Sequence, residues 1–379
     1  MTINQIKTEI LSGLTISIAL VPEAISFALL VGAAPQVGLW AAVFMALSTS
    51  IFGGRPGIIS GATGATAVIM AGLVSKVGID SLFLGVILAG LIQLTIFASG
   101  AWRIFVKIPQ AAISGFLIAL ALMIFNSQLK YLQVGSPTSS QTIWLICVVA
   151  LSAAAMVYSA KQFKFPPALS AIAVGTLIGI PFGFATVGDL SPVTASLPEL
   201  KVPTASINLI LAVIPYSFGM AISGLTESLL TVDSISNKLK EPGDKGRETL
   251  AQGIGNIVSG LFGTMGGCVL VGQTNLNIEA GAKNRLSSLV AALGLAIIIL
   301  VFGKWIEMLP LAGLIGVMMV VVYQTGAWSS LRIKKIKHLS IITTTVLVSL
   351  ATRNLAIGVI SGTLVFYFST ILKHDAIKN

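Results

Sequence analysis

Long apolar runs fill this chain, separated by short clusters of Gly, Pro and charged residues. A membrane-spanning helix needs roughly 20 apolar residues, fewer where two half-helices meet near the midplane. The pattern therefore predicts fourteen segments, at about 10–31, 37–53, 62–75, 80–100, 108–127, 141–159, 165–186, 207–231, 249–263, 267–280, 286–303, 308–327, 338–352 and 355–372. The third and tenth are too short to span unaided. The predicted fold class is an all-α polytopic membrane protein with 14 transmembrane segments, short half-helices standing at segments 3 and 10.

Composition agrees, since 55% of residues are hydrophobic and 9% charged, far from the range of soluble domains. With the N-terminus placed inside, all of the 23 Lys and Arg except Lys76, Lys130, Lys201, Lys304 and Arg353 fall on the cytoplasmic side. This positive-inside bias supports an even number of spans and two cytoplasmic termini. The expected location is a bacterial inner or plasma membrane, with the lipid bilayer as partner. Topology accounts for the excess of positive charge, so no nucleic-acid partner is expected. Cys147 and Cys268 lie in apolar segments and read as small packing residues, without a disulfide or metal role. The N-terminus is too polar for a signal peptide. Asp233 to Glu248 reads as a solvated cytoplasmic loop, and Val187 to Pro203 as an external link. Seven residues follow Leu372, so no soluble domain is expected there.

Internal repetition refines the picture. Sliding the chain by 210 residues sets Ile51-Phe52-Gly53 on Leu261-Phe262-Gly263, Gly57 on Gly267, and segment 62–75 on 272–285. Seven segments separate these positions. Because seven is odd, the second half enters the membrane with opposite polarity, giving a 7+7 inverted repeat with its site where interrupted helices meet. The repeats are placed at 1–190 and 204–379.

Candidate chemistry centres on Tyr216 to Thr231, a small-residue apolar helix with one carboxylate, Glu227. A charge at the bilayer centre costs a few kcal/mol or more, so it faces a partner, a cavity or an ion path. Ser228, Thr231 and the broken segment Gly263 to Gly281 are the candidate partners. The segments Arg55 to Ile69 and Gly266 to Asn277 each read as a short helix starting inside the membrane behind glycines. Their free N–H groups and positive dipole ends make an anion site without a fixed cation. Gly64, Ala65, Thr66 and Ala67 allow close approach, and Gln273, Thr274 and Asn275 add donors. The small residues are also compatible with tight helix packing alone.

Segment one contains Leu20-Val-Pro-Glu-Ala-Ile-Ser-Phe27, in which Pro22 frees a backbone carbonyl and Glu23 follows at once. Glu23 reads either as a site carboxylate or as a structural group bonded to freed backbone. Two carboxylates beside an anion site require an accompanying cation or a protonated carboxyl. Glu279 reads as an interfacial ion-pair residue near Lys283 and Arg285. His338 and His374 lie in cytoplasmic flanks, which disfavours a histidine relay. There is no phosphate-cradling loop and no metal-ligand or nucleophile–base constellation, so neither an enzyme nor a cofactor is expected.

Several stretches resemble the SulP (sulfate permease) family of anion transporters, whose members also include bicarbonate carriers and the chloride-transporting and motor proteins of vertebrates. They are Ser12-Gly-Leu-Thr leading to Val21-Pro22, Gly38-Leu39-Trp40, and Phe52-Gly53 with Ser60 to Thr66. Ile108-Pro109 with Ser114-Gly115-Phe116, Val187-Gly188-Asp189 with Leu197-Pro198, Glu227-Ser-Leu-Leu-Thr231, and Gly255-Asn256 through Gly263 complete the order. The resemblance spans nearly the whole chain. It implies a core domain (10–100 and 207–303) that moves like an elevator against a gate domain (108–186 and 308–372). It also implies a small inorganic anion, sulfate or bicarbonate, held between the starts of segments three and ten by Glu23, Phe27, Gly64 to Ala67 and Gln273 to Asn275. In sodium-coupled relatives a carboxylate and a hydroxyl one turn later bind the cation, which makes Glu227 and Thr231 the candidate Na+ site here. Dimers are usual in this fold, so a homodimer is implied.

The chain departs from the family in three places. Many relatives carry an amide at the position of Glu23 and an arginine at that of Gln273, and most end in a cytoplasmic STAS domain, which is not expected here. The first two changes make the site less positive and favour Na+- or H+-coupled uptake. A passive chloride or anion channel of the same fold and a nucleobase–cation symporter are the alternatives.

Overall fold

The computed structural model describes residues 1–134, 138–162, 167–333 and 335–378. Lys164 and Lys334, two of the basic residues assigned to the cytoplasmic side, lie outside them. The fold is all-α. In chain order the helices are α1 (Ile3–Val31), α2 (Pro35–Phe52), α3 (Gly64–Val77), α4 (Asp80–Ala98), α5 (Gln110–Tyr131), α6 (Ser139–Gln162), α7 (Pro167–Gly179), α8 (Val187–Leu190), α9 (Ile207–Leu239), α10 (Lys245–Leu261), α11 (Val271–Glu279), α12 (Arg285–Glu307), α13 (Leu311–Thr325), α14 (Ile336–Thr352) and α15 (Leu355–Lys378). Seven of the described helices are long and apolar enough to cross a membrane, and shorter apolar helices accompany them.

Local chemistry explains several boundaries. Thr2 and Gln5 form a capping box at the start of α1, and Gly32, at φ 82°, ends that helix in the left-handed region where a side chain would be strained. Prolines open α2 directly and precede α5 and α13.

Apart from the four-residue α8, the two halves repeat. Among the described residues each has seven α-helices, and in each the third is short and follows a two-residue strand: β1 (Ser60–Gly61) before α3, and β2 (Cys268–Val269) before α11. The 210-residue offset is slightly long. From α2 to α10 the helix ends differ by 261 − 52 = 209, the strands by 268 − 60 = 208 and the short-helix starts by 271 − 64 = 207. Each connection in the second half is one residue shorter.

Helices α1 to α4 pack with α9, α10 and α12, while α5 to α7 pack with α13 to α15. The groups meet where α1 touches α7 and α13, α3 touches α5, α11 touches α13 and α9 touches α15. Phe27 of α1, Ala65 of α3, Phe116 of α5 and Met318 of α13 share one buried apolar cluster across this seam.

The expectation of a solvated loop over 233–248 is corrected. Helix α9 runs to Leu239 and α10 begins at Lys245, so only 240–244 is non-helical. Asp233 pairs with Lys245 at 2.7 Å and Glu241 with Arg55 at 2.9 Å. Glu248 is buried because the Gly54 amide (2.8 Å) and the Gln252 side-chain amide (2.7 Å) donate to it. Glu279 does form an ion pair, but with Lys238 (2.7 Å), since α9 extends past the expected end. The link after α7 is tied down through the Thr186–Pro310 bridge and by the Val193 amide donating to Glu307 at 2.7 Å.

One buried carboxylate couples the repeats directly. Glu9 of α1 accepts from the main-chain amides of Lys283 (2.7 Å), Asn284 (2.9 Å) and Ser287 (3.1 Å), satisfying the start of α12. Glu9→Ala would leave these donors without their acceptor and should cost about 1–3 kcal/mol. A lower unfolding midpoint in detergent is the expected result; an unchanged midpoint would contradict the capping role.

Candidate functional site

The site is built on a crossing of two peptide segments in the middle of the fold. Strands β1 and β2 pair antiparallel, Ser60 opposite Val269 and Gly61 opposite Cys268. The Leu270 amide extends the pairing to Ile59 O at 2.9 Å. Because the strands are antiparallel, the helices they lead into leave the crossing in opposite directions, with both N-termini beside it.

Neither of those N-termini is capped. Thr63 and Leu270 occupy the cap positions without a side-chain cap bond. The first intrahelical bonds are Ala67 N to Thr63 O and Thr274 N to Leu270 O. The amides of Gly64, Ala65, Thr66, Val271, Gly272 and Gln273 therefore have no acceptor among the described residues. At the start of α11, Val271 and Gly272 are exposed, and a Cβ on Gly272 would meet nothing within 4 Å. That helix end borders open space.

Two buried carboxylates flank the crossing. Glu23, one residue after Pro22 in α1, accepts from Gln273 Nε2 at 2.9 Å. Its other oxygen, Oε2, and Gln273 Oε1 are buried without a partner. Glu227 of α9 is 8% exposed, and its Oε2 accepts from the Cys268 thiol at 3.0 Å. Among the described residues neither carboxylate has an ion-pair partner.

The structure thus brings Glu23, Gln273, Glu227 and the two helix starts together, with Phe27 one turn along α1 from Glu23 in the adjoining apolar cluster. Gly64, Ala65, Thr66 and Ala67 are all buried at the α3 start. Other expected residues face elsewhere. Asn275 donates to Val271 O (3.0 Å) and lies near Lys238, because the turn of α11 carries it away from the crossing. Thr274 accepts from Ile59 N (3.1 Å) and so holds the strand. Thr231 gives its hydroxyl to the main-chain oxygen of Glu227 (2.8 Å), not to the carboxylate, and Ser228 accepts from Val269 N (3.1 Å).

Sequence reasoning missed the groups that hold the crossing. Asn256 of α10 accepts from Gly267 N (2.9 Å) and donates to Gly267 O (3.2 Å) and Gln93 Oε1 (2.9 Å). Gln252 donates to Ser60 (3.0 Å). Asn277 of α11 donates to Gly57 O and Ser287 (both 2.9 Å) and accepts from Ser12 (2.6 Å). Cys268, read as a packing residue, is the hydrogen-bond partner of Glu227. A fully buried amide such as Gln93 in an otherwise apolar helix was a usable signal.

A polytopic helical membrane protein with two opposed half-helices and flanking carboxylates is the class that this fold and site define. Residues 6–350 match the sulfate permease family. The chain belongs to that family. It is 37% identical over 382 residues to YbaR of Bacillus subtilis, whose name assigns it provisionally to sulfate transport, covering 98% of this chain and 78% of that protein. It is 29% identical over 358 residues to the bicarbonate transporter BicA of Picosynechococcus sp., covering 87% of this chain and 63% of that one. Among solved structures, the transmembrane domain of a cyanobacterium bicarbonate transporter BicA superposes with a TM-score of 0.82 at 24% identity, covering 94% of this chain and 98% of that domain.

Position 267, beside the crossing, has no room for a side chain. A Cβ on Gly267 would lie 1.8 Å from Gly61 O, a backbone atom. Gly267→Ala should destabilise the protein by about 1–3 kcal/mol or more, while Gly272→Ala, facing open space, should not. Thermal unfolding of the two variants in detergent checks this, and equal midpoints would contradict it.

Proposed function

We propose that this protein is a secondary active transporter that moves a small inorganic anion, sulfate or bicarbonate, by elevator-type alternating access coupled to Na+ or H+. One observation carries the reading. Two uncapped half-helix starts, suited to an anion, sit beside two buried carboxylates that no basic residue among the described ones neutralises. An anion and two bare carboxylates repel in a medium of low dielectric, so the loaded site needs a cation or a proton to accompany the anion. Such a site couples the two species by linkage, because each favours the binding of the other. A passive channel gains nothing from carboxylates placed there.

The roles divide by residue. The free amides at Gly64 to Thr66 and Val271 to Gln273 bind the anion, and Glu23, Phe27 and Ala67 shape its surroundings. Glu227 takes the coupling cation, with the Thr231 hydroxyl oxygen within one turn as a second ligand if that cation is Na+. Packing into two groups of helices supports a core (10–100 and 207–303) that moves against a gate (108–186 and 308–372), and the positive-inside bias of the sequence supports two cytoplasmic termini. The BicA relative transports bicarbonate by name, and the family is named for sulfate.

Uptake of labelled sulfate and bicarbonate into proteoliposomes tests the assignment. Glu227→Gln should lower gradient-driven uptake at least tenfold, about 1.4 kcal/mol, without a change in elution profile; uptake equal to wild type would remove the coupling role. Gly272→Leu should block the anion without disturbing packing. Asn275→Ala should leave uptake within about twofold, as surface changes do, and a large loss there would contradict the placement of the site.

A further inference from the structure

Three elements meet at the thiol of Cys268. Its sulfur lies 3.0 Å from Glu227 Oε2 and 2.8 Å from Thr63 Oγ1, and all three side chains are buried. The proton directions follow from chemistry. An ionised carboxylate only accepts, so the thiol donates its single proton to Glu227 and the Thr63 hydroxyl donates to sulfur. Thr66 Oγ1 lies 3.2 Å from Thr63 Oγ1 and donates to it, since the Thr63 proton is committed to sulfur. An ordered run of donors thus leads from the start of α3, through the strand before α11, to the carboxylate of α9.

The grip is doubled next door, where the Val269 amide donates to Ser228 at 3.1 Å. Successive residues of β2 therefore hold successive residues of α9. A Cβ on Gly224 would lie 3.3 Å from both Cys268 Cβ and Thr66 Cγ2. The three elements are in close contact there, which leaves the carboxylate little freedom to turn.

We propose that Cys268 is a positioning residue whose thiol holds the Glu227 carboxylate against the crossing and thereby sets how tightly that carboxylate takes its coupling cation. The affinity role rests on the reading of Glu227 given above; the positioning role does not. A thiol is suited to the task because it is a weak donor. It orients the carboxylate while competing little for its charge, and sulfur adds no favourable ligand for a hard cation such as Na+.

Two measurements on the full chain test this. In proteoliposomes, Cys268→Ala should raise the half-saturating concentration of the coupling cation by about tenfold, the loss expected for one hydrogen bond to a charged group. The KM for the anion at saturating cation should stay within about twofold, and Cys268→Ser, which restores a donor, should recover most of the cation affinity. Packing alone would lower the amount of active protein without moving half-saturation, and serine would then do no better than alanine; that result overturns the affinity role.

The second measurement needs no transport. The chain has 2 cysteines, so the S–H stretching band of Cys268 is assigned by its loss in the Cys268→Ala infrared spectrum. In Glu227→Gln that band should move to higher frequency as a carboxylate acceptor is replaced by a neutral amide. A band that does not move overturns the positioning role. Wild-type uptake that is indifferent to both sodium and proton gradients would instead remove the coupling reading and the affinity role with it, and the infrared result would then decide positioning alone.

Discussion

Inside a bilayer no water is present to satisfy a peptide group, so two irregular segments crossing there must bond to each other or to side chains. The pairing of Ser60-Gly61 with Cys268-Val269 meets that demand, and everything around it is arranged to complete it. Asn256 treats the Gly267 peptide as a strand neighbour would, bonding both its N–H and its C=O. Thr274 holds Ile59, and Gln252 holds Ser60. Glycine at 267 is required because the facing atom is a backbone oxygen. From this one contact follow the opposed half-helices and their free amides.

The same crossing places donors and carboxylates in competition. Gln273 Nε2 and the Cys268 thiol, both on the α11 side, are committed to Glu23 and Glu227. An anion at the helix starts would profit from the Gln273 donor, while the thiol stays on Glu227. Coupling of the proposed kind would therefore rest on the repulsion between anion and carboxylates that a cation or proton removes. It does not need a long pathway between sites, since both carboxylates contact the α11 side of the crossing directly.

Much of this was legible in the sequence, for physical reasons. Hydropathy located the helices because a bilayer tolerates little else. The two short segments stood out by length, and Glu23 and Glu227 stood out because charge in an apolar helix is costly. Legibility failed where meaning depends on tertiary partners. The mixed-charge stretch around Glu248 looked solvated because nothing local shows that the Gly54 amide would bury its carboxylate. Asn275 looked like a donor to the site because sequence neighbours share a segment but not a helix face. Cys268 looked inert because a thiol acquires a role only from what lies across from it, here a carboxylate 41 positions earlier in the chain.

The central claim is that two unneutralised carboxylates make anion movement depend on a cation. It is tested most directly by uptake of labelled sulfate and, separately, labelled bicarbonate into proteoliposomes holding the wild-type protein, under an inward sodium gradient, an inward proton gradient or neither. The account predicts that one anion accumulates above equilibrium with one of those gradients and does not accumulate without it. Equal equilibration of either anion under all three conditions would contradict the account, because the carboxylates would then couple nothing.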